Sequence, residues 1–220
     1  YARMTSAASG RARWRFGLAG LLLAGPLPAP AAAAAPLLRV GTSGDYAPFS
    51  LAEGERLTGF DVALAERFAA DTGRRLEFVR FPWPELLQRL EERAFDVAFS
   101  GITVRPERSL AGRFTAPVAE SGAVVLVRSD AAAADPGALD DPGVVLAVNA
   151  GGHLERATRA RFPKAQVRAL PENAAVVEEL VAGRADGVVT DTLEAPAWEA
   201  RAPGARRLGP FTRDRKAALV

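Results

Sequence analysis

Apolar positions along the chain fall into two kinds of stretch. Short runs have the length of strands: Leu37–Gly41, Leu76–Val79, Phe95–Phe99, Ala123–Arg128, Val144–Val148, Gln166–Ala169 and Gly187–Thr190. Between them lie segments of helical spacing. Phe60, Leu64 and Phe68 mark a helix over 60–70 that Gly73 stops. A second helix over 84–94 groups Trp83, Leu86, Leu87, Leu90 and Ala94 on one face, with Glu85, Gln88, Arg89 and Glu92 largely opposite. Further helices are expected over 154–161, over 174–182 and from about Thr192. Alternating strands and helices imply mostly parallel sheets covered by helices. The alternation restarts after the turn-rich segment 135–143, so two α/β lobes are expected, joined by the strand Ala123–Arg128. The expected bounds are 36–126 for lobe one and 127–212 for lobe two, with 213–220 returning to lobe one.

The first 35 residues follow neither pattern. A basic stretch, Arg11–Arg15, precedes an apolar run, Gly17–Gly25, and then prolines and the run Ala31–Ala35. This is the layout of a secretory signal peptide over 1–35, with Met4 as the start and cleavage near Ala33–Ala35. The apolar run falls short of the ~20 residues that span a bilayer, and no later segment is longer. A periplasmic chain without a membrane span is expected.

That segment changes the meaning of the charge. A pI near 9.5 for the whole chain hints at an anionic polymer such as nucleic acid. Four of the 28 basic residues, Arg3, Arg11, Arg13 and Arg15, lie in the first 35 positions, which hold no acid. Without them 24 basic residues face 26 acidic ones, a formal −2, and nucleic acid is no longer expected. A hydrophobic content of 49% supports a packed core. The absence of cysteine excludes disulfide and thiol chemistry. Only Lys164 and Lys216 of the 28 basic residues are lysines, which together with the alanine richness reads as base composition.

In open α/β sheets, ligands sit beyond the carboxyl ends of the strands. Here those ends carry Thr42–Phe49, Phe81–Trp83, Ser100–Arg108, Asn149–His153 and Thr190–Glu194. Gly151-Gly152-His153 precedes a helix and either binds an anion through backbone N–H groups or simply makes a turn. Arg108 can grip a carboxylate with two parallel bonds, or lie solvated on the surface. Trp83, between Pro82 and Pro84, sits at a strand end or caps the core. Asp191 suits a helix N-cap, and Glu194 the first turn. If both face a cleft, Asp191 becomes an acceptor and Glu194 a desolvated acid. His153, the single histidine, lacks carboxylate companions at ligand spacing, so no metal is expected.

The segments T-S-G-D-Y-A-P-F-S (42–50), G-F-D-V-A-L-A (59–65) and F-D-V-A-F-S-G-I-T (95–103), with Arg108 six before Phe114, resemble the family 3 extracellular solute-binding proteins. The resemblance runs from about Leu37 and implies a two-lobed, type II periplasmic binding-protein fold with a ligand cleft between the lobes. It implies that Arg108 binds a ligand carboxylate, that the turn Gly151–Glu155 donates backbone N–H groups, and that Asp191 accepts a ligand amine. His153 stands where the family has Thr or Ser, which leaves only its backbone N–H as donor. W-P-E-L-L (83–87), N-A-G-G (149–152) and above all T-D-T-L-E-A (190–195) are similar to the cyclohexadienyl dehydratase branch. That branch turns prephenate into phenylpyruvate and arogenate into phenylalanine. The resemblance then implies Glu194 as general acid, with Asn149 and Trp83 positioning and desolvating it. Arg108, Thr103, Gly101, Gly152, His153, Asp191 and Tyr46 would bind the substrate. No metal or cofactor is implied, because one proton donor and fixed anion donors suffice. The other member of the family pattern, a non-catalytic amino-acid receptor feeding an ABC permease, stays open. Family members continue beyond the equivalent of Val220 with helices closing lobe one, so a C-terminally shortened lobe is expected.

Overall fold

The computed structural model of the chain describes residues 34–220, so the expected signal segment lies outside the described residues except for its last two positions. The elements are β1 (Leu37–Thr42), β2 (Asp45–Tyr46), β3 (Ser50–Glu53), β4 (Arg56–Thr58), α1 (Phe60–Asp71), β5 (Arg75–Arg80), α2 (Leu86–Glu91) and β6 (Val97–Ala98). They continue with β7 (Ala119–Ser121), β8 (Ala123–Val127), β9 (Val145–Asn149), α3 (His153–Arg161), β10 (Gln166–Leu170) and α4 (Asn173–Val181). The last are β11 (Gly187–Asp191), α5 (Ala195–Arg201), β12 (Arg206–Leu208) and β13 (Asp214–Lys216). Short 3-10 turns at Trp83–Glu85 and Arg108–Leu110 lie in the first half. No helix among the described residues is long and apolar enough to cross a membrane.

The first half is built on a parallel sheet ordered β5-β1-β6, with the antiparallel β2-β3-β4 meander beside it. One core cluster packs Val40, Ala65, Ala69, Val97 and Ala218; the other packs Phe81, Leu86, Phe95, Ala98, Ile102 and Leu219. The C-terminal residues therefore belong to the first half. Leu219 bridges both Ala98 and Phe114 and is fully buried. In α1 the expected face is turned outward: Phe60 and Phe68 are exposed, while Val62, Ala65 and Ala69 are buried. Small side chains let the helix lie close on the sheet, where two stacked aromatics would hold it off.

The second half carries the sheet β10-β9-β11-β8-β12, in which β9, β10 and β11 are parallel and β8 and β12 antiparallel. β8 is buried along its whole length and reads Ala-Val-Val-Leu-Val because both faces meet core. Val124 and Leu126 pack toward α4 and α5, with Val176, Leu180 and Trp198. Val125 and Val127 pack on the other side with Leu146, Val148 and Phe162. Each such residue adds roughly 1.5–3 kcal/mol by leaving water. The lobe boundary expected after 126 would divide β8. Its pairing with β11 and β12 assigns the whole strand to the second half, and the chain crosses before Ala123. The crossing segment β7 pairs antiparallel with the returning β13, so two neighbouring strands connect the halves.

Candidate functional site

Where the halves meet, one cavity is lined by Tyr46, Trp83, Gly101, Thr103, Arg108 and Lys216 from the first half and its return strand. Asn149, Gly152, His153, Leu154, Asn173 and Glu194 line it from the second half. Nine of the ten residues expected to form the site are among them; Asp191 lies beneath. Three lining residues were not expected: Asn173, Lys216 and Leu154.

Glu194 follows β11 and takes the N-cap position of α5. It is 2% exposed. Asn173 Nδ2 donates to its Oε1 at 2.7 Å and Thr190 Oγ1 to its Oε2 at 2.7 Å. Burial is the main cause that pushes its pKa up, to about 8, with the Asp191 charge adding to it and the Thr190 and Asn173 bonds opposing. A carboxyl of this kind keeps its proton at neutral pH and can give it to a bound group. Asn173 also donates to the Asp45 carbonyl at 2.9 Å, so one amide ties the acid to the β2 segment of the first half.

Asn149 was expected to help hold the acid. Its amide nitrogen instead points at the Leu170 and Pro171 carbonyls, at 3.4 and 3.3 Å, and the amide bonded to Glu194 is Asn173's. Trp83 donates from Nε1 to Asp45 Oδ1 at 3.1 Å and stands edge-on to Tyr46. Its ring is an apolar wall of the cavity.

Arg108 sits on the 3-10 turn after Thr103, 6% exposed, with Nη1 donating to the Thr103 carbonyl at 3.0 Å. The neighbouring Glu107 is engaged by Arg105 and Arg156. Burial, with the like charge of Arg105, lowers the Arg108 pKa to about 10, so it remains a cation at neutral pH. Across the cavity Gly152 caps α3, and Glu155 already accepts the Gly151 N–H at 2.8 Å. Gly151 itself is in the left-handed region (φ 73°), and an added Cβ would stand 2.5 Å from Pro84 Cγ. The His153 ring turns away to Asp214, with Nε2 3.0 Å from Oδ1, an ion-pair distance although the ring N–H is not aligned for a hydrogen bond. Gly101 lines the cavity, but its N–H is taken by Asp61 Oδ2 at 2.6 Å. It was expected among the binding residues; what the structure requires there is the absence of a side chain, since a Cβ would meet the Tyr46 ring at 2.5 Å.

Asp191 departs furthest from expectation. It is fully buried. Its Oδ1 accepts from Leu193 N at 2.9 Å and Glu194 N at 3.1 Å, closing the turn before α5; the N-cap of that helix is Glu194 and not, as expected, Asp191. Its Oδ2 accepts from the Tyr46 hydroxyl and from Lys216 Nζ at 2.8 Å. Burial alone would raise its pKa, but the Lys216 ammonium and the Tyr46 bond outweigh that and leave it below the ordinary value. Lys216 also donates to Thr103 Oγ1 at 3.0 Å and lies over the Tyr46 ring. Rarity was the signal that could have found two of the unexpected residues. Lys216 is one of two lysines, and Asn149 and Asn173 are the only asparagines in the chain.

Two α/β halves, two connecting strands and a polar cavity at their junction define a type II periplasmic binding-protein fold. Residues 38–194 match the bacterial extracellular solute-binding proteins, family 3, and the chain belongs to that family. Among curated relatives, a cyclohexadienyl dehydratase of Pseudomonas aeruginosa is 37% identical over 162 residues, 72% of this chain and 60% of that protein. An L-cystine-binding protein of Escherichia coli is 29% identical over 159 residues, again 72% and 60%. The chain thus spans about 60% of the length of these relatives. Among solved structures, an ancestral amino-acid-binding protein described as a precursor of cyclohexadienyl dehydratase superposes with a TM-score of 0.77 at 35% identity, covering 84% of this chain and 81% of that one. A lysine-complexed binding component of an ABC transporter from Wolinella succinogenes gives 0.78 at 28% identity, covering 83% and 81%.

Proposed function

We propose that this chain carries the site of an exported dehydratase that acts on prephenate, and on arogenate, by general-acid catalysis. The observation that carries the reading is Glu194: a carboxyl 2% exposed on the wall of the cavity between the halves, with its proton retained to about pH 8. A carboxyl that holds its proton at neutral pH beside a bound molecule is suited to donating it.

The reaction uses it directly. Prephenate is a cyclohexadienol bearing a ring carboxylate. Glu194 gives its proton to the ring hydroxyl, and the C–O bond breaks to release water. The electrons of the bond to the ring carboxylate flow into the ring, CO2 leaves, and the ring becomes aromatic. Glu194 is then a carboxylate and regains its proton from solvent. Arg108 and the N–H groups of Gly152 and His153 oppose each other across the cavity as holders for the two substrate carboxylates. Trp83 excludes water from the acid. Export to the periplasm rests on the layout of residues 1–35.

The test is turnover of prephenate by the full chain, followed by phenylpyruvate absorbance. Glu194→Gln should lower kcat by at least ~10²-fold, the usual worth of a positioned acid. Near-wild-type turnover in that variant removes Glu194 as the acid. No turnover with tight binding of an amino acid would replace the reading with that of a receptor serving an ABC permease, which the amino-acid-binding relatives favour.

A further inference from the structure

The dehydratase reading names two substrates that differ at one point. Prephenate carries a keto group on its side chain and is a dianion; arogenate carries an ammonium there. Whether the site can seat an ammonium depends on the acceptors that reach it, and Asp191 is the first of these. A carboxylate has about four lone-pair sites. At Asp191 all four are filled, by Leu193 N, Glu194 N, the Tyr46 hydroxyl and Lys216 Nζ. The Tyr46 phenol, buried and facing Asp191, is held well above its ordinary pKa and stays a donor. The other carboxylates near the cavity, Asp45, Asp61 and Asp214, do not line it, and each has a partner of its own. Asp214 faces His153 and accepts from Thr212, Asp45 accepts from Trp83, and Asp61 accepts from Gly101 N. Glu194 accepts from Asn173 and Thr190.

What the cavity offers a ligand at this end is the ammonium of Lys216. Its Nζ spends two of three donors, on Asp191 Oδ2 and Thr103 Oγ1, and its side chain lines the cavity beside Arg108. A ligand ammonium brought here would meet a like charge, whereas a keto oxygen or a carboxylate would meet a donor.

We infer that Lys216 fills the place of a ligand ammonium on Asp191, so that the site selects a keto dicarboxylate, prephenate, over its amino counterpart, arogenate. The inference rests on the dehydratase reading only for the identity of this pair; the discrimination itself is one of keto against amino acids.

The experiment measures kcat/KM of the full chain for both substrates. Preference for prephenate by about 10-fold or more is expected, since a like-charge contact at a buried site is strongly unfavourable. Equal use of the two, or preference for arogenate, overturns the inference and leaves the dehydratase reading standing. If neither is turned over, the dehydratase reading fails, and calorimetric binding of phenylpyruvate and phenylalanine decides the inference separately. Tighter binding of the keto acid sustains it; tighter binding of the amino acid, or binding of neither, overturns it. Lys216→Met, which frees Asp191 while keeping most of the side-chain volume, should shift the ratio toward the amino member of the pair. Should that variant fail to fold, Asp191→Asn serves. It should weaken both members alike, and selective loss of the amino member would overturn the inference.

Discussion

At the scale of single residues, Glu194 links the proposed chemistry to the stability of the fold. An exposed glutamate titrates near 4.5, whereas this one is raised to about 8 by burial. The folded protein therefore holds a proton that the unfolded chain releases between those values, and linkage fixes the sign. The contribution is fully favourable below pH 4.5 and is lost as pH rises through about 8. The urea midpoint of the wild-type chain should fall relative to that of Glu194→Gln between pH 5 and pH 8.5, and the gap should close at the acid end. A gap independent of pH would show that Glu194 is not protonated in the fold. Much of this site was legible beforehand, because T-D-T-L-E-A put Glu194 directly after a buried strand and at a helix start. Lys216 was not. It meets Thr103 from 113 residues away, through a return strand whose register no local pattern specifies. Asn173 reaches Glu194 from the start of α4 in the same non-local way. An assignment of Asp191 from its sequence context alone could not know that its acceptor sites were already taken.

At the scale of elements, the turn before α3 determines how closely the halves approach. Gly151 has φ 73°, and Pro84, at the start of the 3-10 turn leading into α2, occupies the space of its missing Cβ. Gly183, just past α4, has φ 68° but nothing within 4 Å. Alanine at either position should cost about 1–2 kcal/mol for left-handed backbone. Gly151→Ala must in addition push Pro84 and Trp83 away from α3, so it should weaken ligand binding while Gly183→Ala leaves affinity unchanged. Urea titration and calorimetry on the two variants separate the two costs; equal affinities would mean that the contact does not set the cleft. Periodicity found the helices and, except for β12, the strands of both sheets to within a few residues, because each buries a regular face. It missed the short β2-β3-β4 meander, whose strands of two to four residues carry too little alternation to be seen. It also chose the wrong face of α1, where large aromatics were weighted above the alanines that make close packing possible.

At the scale of the whole molecule, ties of different strength cross between the halves. Asn173 to the Asp45 carbonyl and Lys216 to Asp191 are buried, so breaking either leaves polar groups without water or partner. The Arg156–Glu107 pair, at 2.6 Å, joins α3 to the turn carrying Arg108, yet its side chains are 62% and 48% exposed. Exposed pairs contribute only about 0.2–1 kcal/mol and are screened by salt. Closure should therefore rest on the buried ties, with the surface pair as a trim. Glu107→Gln removes the charge that Arg105 and Arg156 share and leaves the cavity lining intact. It should weaken ligand binding by less than ~5-fold in dilute buffer, a factor that corresponds to the upper end for an exposed pair. In about 0.5 M salt, where screening acts over a few ångströms, wild type and variant should converge. A larger loss that persists at high salt would mean that Glu107 holds the Arg108 turn in place by more than charge. The cations facing the ligand would then depend on a surface residue and not on the buried frame of Thr103, Asp191 and Lys216.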